Sequence, residues 1–290
     1  MEGRHATQTA SKLQNEDIPL DDSRDTDLYP RFPPEIEHKI FVAAFDADPM
    51  QEMVGTFLLV SKRVYDWLIP LVFEIVITYG SSKWPPRGLP PEDLPRVGKY
   101  VRHLLLDFSE ASTSSMYFTY CQNLTNLALV GWSSTGISAL ACLRPTELCV
   151  DLDVLPKIPT ISPLCANVTH LDCAYHEWNH FIGPSESFSY FPNLTHLMVR
   201  SDPYQDQGED VDQALRQFQK IKVFVLCQYR NNMEMKAVEP EHPHPDPRVV
   251  HLYLQFPLHW KTAAQGGISP WLFAEAVVEQ RRNRRSDSDV

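Results

Sequence analysis

The chain has 290 residues, a formal net charge of −11, and a composition that is 43% hydrophobic and 11% aromatic. That hydrophobic share can fill a real core, and the length fits one large domain or two ordinary ones. The acidic balance argues against a nucleic-acid partner, which needs concentrated basic charge to displace counterions from phosphate. No run of about eighteen consecutive apolar residues occurs, so no membrane span is expected.

Residues 1–27 are polar and acidic and lack the apolar segment of a secretory signal, so a disordered tail on a cytoplasmic or nuclear protein is expected. The six cysteines include no Cys-x-x-Cys pair. In a reducing compartment they read as small buried hydrophobes, with neither a redox dithiol nor a zinc knuckle, and no cofactor is expected.

Residues 28–79 read as three short amphipathic helices running into a strand. Pro34 suits a first helical turn, where its missing N–H would be unpaired in any case, and Glu35 sits at the positive end of the helix dipole. Ile36, Ile40 and Ala44 follow at four-residue spacing with Phe41 and Phe45 beside them, as one apolar stripe. A second helix is expected from Asp48 as N-cap, with Pro49 in its first turn and Met50, Met53, Val54, Phe57 and Leu58 on one face. Ser61 caps a third that carries Val64 and Leu68 and that Pro70 should end or interrupt. The period then falls to two at Phe73, Ile75, Ile77 and Tyr79, as in a strand.

The segments FPPEIEHKIF and LLVSKRVYDWLIPLVFEIV resemble the opening and the close of an F-box, whose pattern begins Leu-Pro-x-Glu-Ile-x-x-x-Ile-Phe. Pro33, Glu35, Ile36, Ile40, Phe41, Val60, Ser61, Lys62, Arg63 and Pro70 fall on pattern positions, while Phe32 stands where Leu is usual and Val64 where an aromatic is usual. The resemblance implies docking on a Skp-type adaptor of a cullin complex, through Phe32, Pro33, Ile36, Ile40, Phe41, Leu59 and Val60. Size points the same way. Three short helices cannot bury enough apolar surface to be comfortably stable alone, so some of these side chains should face another molecule or the second domain.

Gly80 to Gly98 enclose five prolines, and residues 80–99 read as an extended join or lid. Beyond it the motif apolar-x-x-Leu-x-apolar recurs, centred on residues 104, 127, 148, 171, 197, 224 and 252 at steps of 23, 21, 23, 26, 27 and 28. Each copy is a short strand with a helical or irregular return, helical at Gly136–Leu143 and Asp210–Lys220. Asn123, Asn167 and Asn193 each head an Asn-x-Thr triplet just before a strand and read as repeat residues. The pattern over 100–268 resembles leucine-rich repeats without the asparagine that usually follows the second strand leucine. The expected fold class is α/β: a short three-helix F-box bundle followed by an irregular leucine-rich-repeat-like solenoid whose parallel strands line one face. From Leu28 onward the chain resembles the F-box-like, leucine-rich-repeat proteins abundant in mushroom-forming fungi. Residues 269–290 should add a helix, capped by Ser269 and running over Trp271–Gln280 into a basic tail, that covers the last edge of the stack.

His176-Glu-Trp-Asn-His180 matches H-E-x-x-H, in which both histidines bind zinc and Glu177 would activate a water. It begins three residues after Cys173, where a strand should be leaving for its return, so the long helix of such a site has no room, and Glu186 stands where a metzincin has His. His242, His244 and Asp246 lie in a proline-rich loop and read as a solvated connection. The expectation is a non-enzymatic substrate adaptor with no catalytic or metal residue. Its partners would be a Skp-type adaptor with its cullin complex and an unidentified target protein held by the repeats. A repeat scaffold without ligase association, and a zinc-dependent hydrolase through His176, Glu177 and His180, are the alternatives.

Overall fold

Pro34 opens the first helix, α1 (Pro34–Asp46), as its fixed φ predisposes it to, and the amides of Ile36 and Glu37 bond back to the Pro33 carbonyl. The computed structural model describes residues 32–47, 53–79, 85, 89–107, 114–131, 137–151, 162–174, 190–200, 208–229, 234–238 and 244–288. The expected start of a second helix at Asp48 lies outside them, and the helix described is the single turn α2 (Val54–Phe57). Ser61 caps α3 (Lys62–Val72), its hydroxyl accepting from the Val64 amide at 3.2 Å. Pro70 does not end α3, contrary to expectation. Ile69 and Val72 on either side of it are buried, and their packing outweighs the one backbone bond that proline removes. Both α1 and α2 pack on α3 around Phe45, Val54, Val64, Leu68 and Val72, with Phe41 and Phe57 edge to face at 6.0 Å and an ion pair from Arg63 to Glu37.

The described strands form one sheet: β1 (Ile75–Ile77), β2 (His103–Asp107), β3 (Asn126–Val130), β4 (Glu147–Asp151), β5 (His170–Ala174), β6 (His196–Arg200), β7 (Val223–Tyr229), β8 (Lys236–Val238) and β9 (Val249–Leu254). β1 to β7 lie side by side in chain order, all parallel. β9 adds parallel to β7, and the short β8 closes that edge antiparallel to β9. β1, which the spacing groups with the N-terminal helices, is thus the first strand of the sheet.

Val76, Leu104, Leu127, Leu148, Leu171, Leu197, Phe224 and Val249 stand opposite one another from strand to strand. None is more than 2% exposed. The recurrence in the sequence is therefore a ladder of buried side chains, with one correction at its end. Val249, not Leu252, faces Phe224, and Leu252 pairs with Cys227 on the opposite face of the sheet. β9 buries Val249 on one face and Val250, Leu252 and Leu254 on the other, so the sequence pattern alone does not distinguish its two registers.

The connecting helices α4 (Leu94–Val97), α5 (Ser114–Tyr120), α6 (Ile137–Leu140), α7 (Pro163–Asn167) and α8 (Gly208–Gln217) bury Leu94, Phe118, Leu140, Leu164 and Val211 in one core with that ladder. Leu89, Leu94 and Val97, from the proline-rich join, belong to the same core, and the Tyr117 hydroxyl donates to the Leu89 carbonyl at 2.9 Å. The later half of the join is thus packed against the sheet. Gly98 meets α5 so closely that a Cβ there would lie 2.9 Å from the Tyr120 carbonyl oxygen.

Polar residues at the head of each strand tie successive copies together. The Asn123, Asn167 and Asn193 side chains donate to the Lys99, Arg144 and Ala166 carbonyls at 2.8, 2.6 and 2.8 Å. The hydroxyls of Thr125, Thr146, Thr169 and Thr195 donate to Arg102, Thr125, Thr146 and Thr169 carbonyls at 3.1 to 3.2 Å. Each Asn-x-Thr triplet therefore satisfies backbone acceptors of the preceding copy, which accounts for its fixed place before a strand.

Two C-terminal helices, α9 (Leu258–Ala264) and α10 (Pro270–Ser288), cover the other face of the sheet. Ser269 caps α10 as expected, accepting from the Leu272 amide at 3.1 Å. Its position differs from expectation. It does not close the end of the strand array; Trp271, Ala274 and Val278 pack across Val223, Val225, Val250 and Leu252 on the sheet face. Five of the six cysteines are buried and Cys142 is exposed.

Candidate functional site

Along α1 the expected single apolar stripe divides in two. Phe41 and Phe45, four residues apart, turn toward α3, whereas Ile36 and Ile40 turn away from it and are 42% and 47% exposed. Phe32 and Pro33, just ahead of the helix, are exposed, and so are Leu59 and Val60 in the turn between α2 and α3. Of the seven residues singled out from the sequence, six are therefore exposed, and Phe41 is half-buried against Phe57. Phe45, Val54, Val64, Leu68 and Val72 fill the small core, Phe57, Leu58, Trp67 and Leu71 pack half-buried against it, and Met53 is exposed.

A second constellation lies on the sheet face beneath α9 and α10, and no motif announces it. The first inward position of successive strands is occupied in register by His103, Asn126, Glu147, His170 and His196. Trp260 of α9 covers one end of this polar row. Its indole N–H donates to Asn126 Oδ1 at 3.0 Å, and its ring meets His103 edge on at 6.4 Å. Trp271 of α10 covers the other end, its ring 5.3 Å from His170 and 5.9 Å from His196. The two imidazoles stack at 4.1 Å, and His196 Nε2 lies 3.0 Å from Glu275 Oε1 of α10.

Burial sets the charge states along the row. It pushes His170 down to about 4, with the neighbouring His196 adding to the effect, and pushes His103 down as well. His196 is lowered by burial even though Glu275 pulls the other way. Stacked, desolvated imidazoles avoid the repulsion of two adjacent cations by staying neutral. Burial pushes the Glu147 carboxyl up, and one of its oxygens accepts from Asn126 Nδ2 at 3.0 Å. Deeper in the face, Arg200 grips Asp172 through two bonds of 2.7 and 2.6 Å and lies over the Phe256 ring at 4.5 Å. Between the row and the two tryptophans is a cavity of about 50 Å³.

His176, Glu177 and His180 lie outside the described residues, as does His242. His244 is placed, with Nε2 3.3 Å from Asp212 of α8 and Nδ1 accepting from the Asp246 amide at 3.1 Å. Asp246 in turn holds Arg248, whose guanidinium keeps that carboxyl below the usual range. These groups brace a loop, and among the described residues no group of three His, Cys, Asp or Glu could hold a metal ion. One signal for the sheet-face constellation does lie in the sequence. Leu104-Leu-Leu106, Leu127-Ala-Leu129 and Val223-Phe-Val-Leu-Cys227 are continuous apolar runs, which a parallel sheet covered on both faces requires and one with an open face does not. Against family models and against curated proteins alike, the chain finds no match.

Proposed function

We propose that this chain is a non-enzymatic substrate adaptor of a cullin-RING ubiquitin ligase. In this reading α1 to α3 are an F-box three-helix bundle docking on a Skp-type adaptor, and β2 to β7 with β9 are an irregular leucine-rich-repeat-like solenoid that holds a target protein. The observation that carries it is the exposure of Phe32, Ile36, Ile40, Leu59 and Val60, at 63%, 42%, 47%, 86% and 55%, beside a small core in which Phe45, Val54, Val64, Leu68 and Val72 are buried. Several large apolar side chains exposed on one small bundle mark an interaction surface, and a few well-packed anchors usually carry most of the energy of an interface. The chain would act by proximity, raising the effective concentration of the target's lysines at the ligase and supplying no catalytic group. Because α9 and α10 occupy the inner sheet face, the target would meet the outer side of these helices and their connection, where Leu258, Leu272 and, between the helices, Ile268 are exposed.

The test is Pro33→Ala with Ile40→Ala in the full chain, assayed for binding to a purified Skp-type adaptor beside calorimetry. Truncating a well-packed Ile to Ala at an interface costs roughly 2–5 kcal/mol, a weakening of about tenfold or far more. Loss of binding with an unchanged melting temperature is expected, since these residues contribute little to the internal core. No binding by the wild type, or full binding by the double variant, would sink the adaptor reading and leave a scaffold without ligase association.

A further inference from the structure

Glu147 occupies a peculiar position in the polar row. In register it has Asn126 on one side and His170 on the other. Trp260 is engaged with Asn126, and Trp271 lies against His170. The carboxylate therefore sits where the cover changes from one tryptophan to the next. The cavity of about 50 Å³ opens at that point, lined among others by Asn126, Glu147, His170, Trp260 and Trp271.

Two other acids near it have partners that match them. Asp172 is gripped by Arg200, and Glu275 reaches His196. Glu147 accepts one bond from a neutral amide, and among the described residues no cation forms an ion pair with it. His170 cannot serve, since burial holds it neutral at pH 7. A half-buried carboxylate without a countercharge is costly, and the cost is relieved by a cation that arrives with its own hydrogen-bond donors.

We propose that this cavity is a binding site for a small organic ammonium group, with Glu147 as its countercharge and the Trp260 and Trp271 indoles as its walls. The proposal goes beyond the adaptor reading and does not depend on it. Carboxylate and indole together are the chemistry that recognises an alkylammonium, through charge and through attraction to the ring quadrupole. A divalent metal would demand several hard donors, whereas Glu147 is one acid beside an amide. Size limits the guest. A water needs about 10–15 Å³ of such volume, so the cavity holds the equivalent of a few waters, which admits an ammonium with two or three carbons. The same end group is presented by a lysine side chain of another protein and by a free alkylamine.

The experiment titrates the full-length protein with propylammonium chloride, potassium chloride at equal ionic strength, and the uncharged isostere propanol, following tryptophan fluorescence. Saturable quenching by propylammonium alone is expected. It should weaken at least tenfold in Glu147→Gln, which keeps the shape of the side chain and an acceptor for Asn126. A Gly-Lys-Gly peptide and its Nε-acetylated form separate the two sources. Saturation by the first and not the second identifies a protein lysine as guest, whereas saturation by propylammonium alone identifies a free amine. An effect of propylammonium no larger than that of potassium chloride or propanol overturns the proposal and leaves a water-filled cavity. So does equal binding by a folded Glu147→Gln variant. The wild-type arms decide by themselves should that variant fail to fold.

Discussion

The indole N–H of Trp260 donates to the Asn126 side-chain carbonyl at 3.0 Å across a sequence separation of 134 residues. Both side chains are buried, at 8% and 7% exposure. The bond satisfies Asn126 Oδ1 while its amide serves Glu147, so neither end of Asn126 is wasted. Trp260→Phe keeps most of the ring and removes only the donor. Leaving a buried acceptor unpaired costs about 1–3 kcal/mol, and chemical denaturation should show a fall in stability of that order with an unchanged m-value. An unaltered midpoint would mean that water replaces the indole without penalty and that Trp260 is held by packing alone.

Helix α10 is part of the core, and its removal should not merely open a face. Val223, Val225, Val250 and Leu252, all at or below 2% exposure, rest under Trp271, Ala274 and Val278. Each large apolar side chain returned to water costs about 1.5–3 kcal/mol, and the truncation uncovers several at once. A chain ending before Pro270 should bind a hydrophobic dye, lose its sharp unfolding transition and aggregate. A soluble truncated chain melting at the wild-type temperature would show instead that α10 is a detachable cover.

Acid should weaken the fold before its paired carboxylates titrate. His103, His170, His196 and His259 are all lowered by burial, His170 to about 4. In the unfolded chain they take up protons near the ordinary imidazole value of about 6.5. As pH falls from there the unfolded state binds protons that the folded state refuses, so stability is full above that value and is lost toward about 4. Glu147 works in the opposite sense, because a carboxyl raised in the folded state takes its proton there first and so favours folding at lower pH. Four histidines against one glutamate make the net effect a loss. Calorimetry should record a melting temperature that declines steadily between about pH 6.5 and pH 4.5, and less steeply in His170→Gln. A flat profile over that window would mean that the row is open to water.

The exposed N-terminal residues were legible in the sequence because they exceed what three short helices can bury. Which side of α1 they occupy was not legible, since Ile36, Ile40, Phe41 and Phe45 all fit one helical stripe and only the position of α3 separates them. The polar row was hidden for a related reason. His103, Asn126, Glu147, His170 and His196 are scattered over nearly a hundred residues and belong to no motif; parallel registration alone brings them into line.

By itself the sequence determined where the strands β2 to β7 lie and that they align in parallel, because the recurring apolar residue must be buried on each of them and the Asn-x-Thr triplets bond to the copy before; the antiparallel β8 and the register of β9 were not encoded in that recurrence. Only the tertiary structure decided what becomes of the other face. Burial of a strand's second side depends on a segment far along the chain, and the helices that supply it, α9 and α10, carry apolar residues that suit the end of the array as well as its face. Their placement rests on contacts such as Trp260 with Asn126 and Trp271 with His170, between residues about one hundred or more positions apart in the chain, which no local spacing encodes.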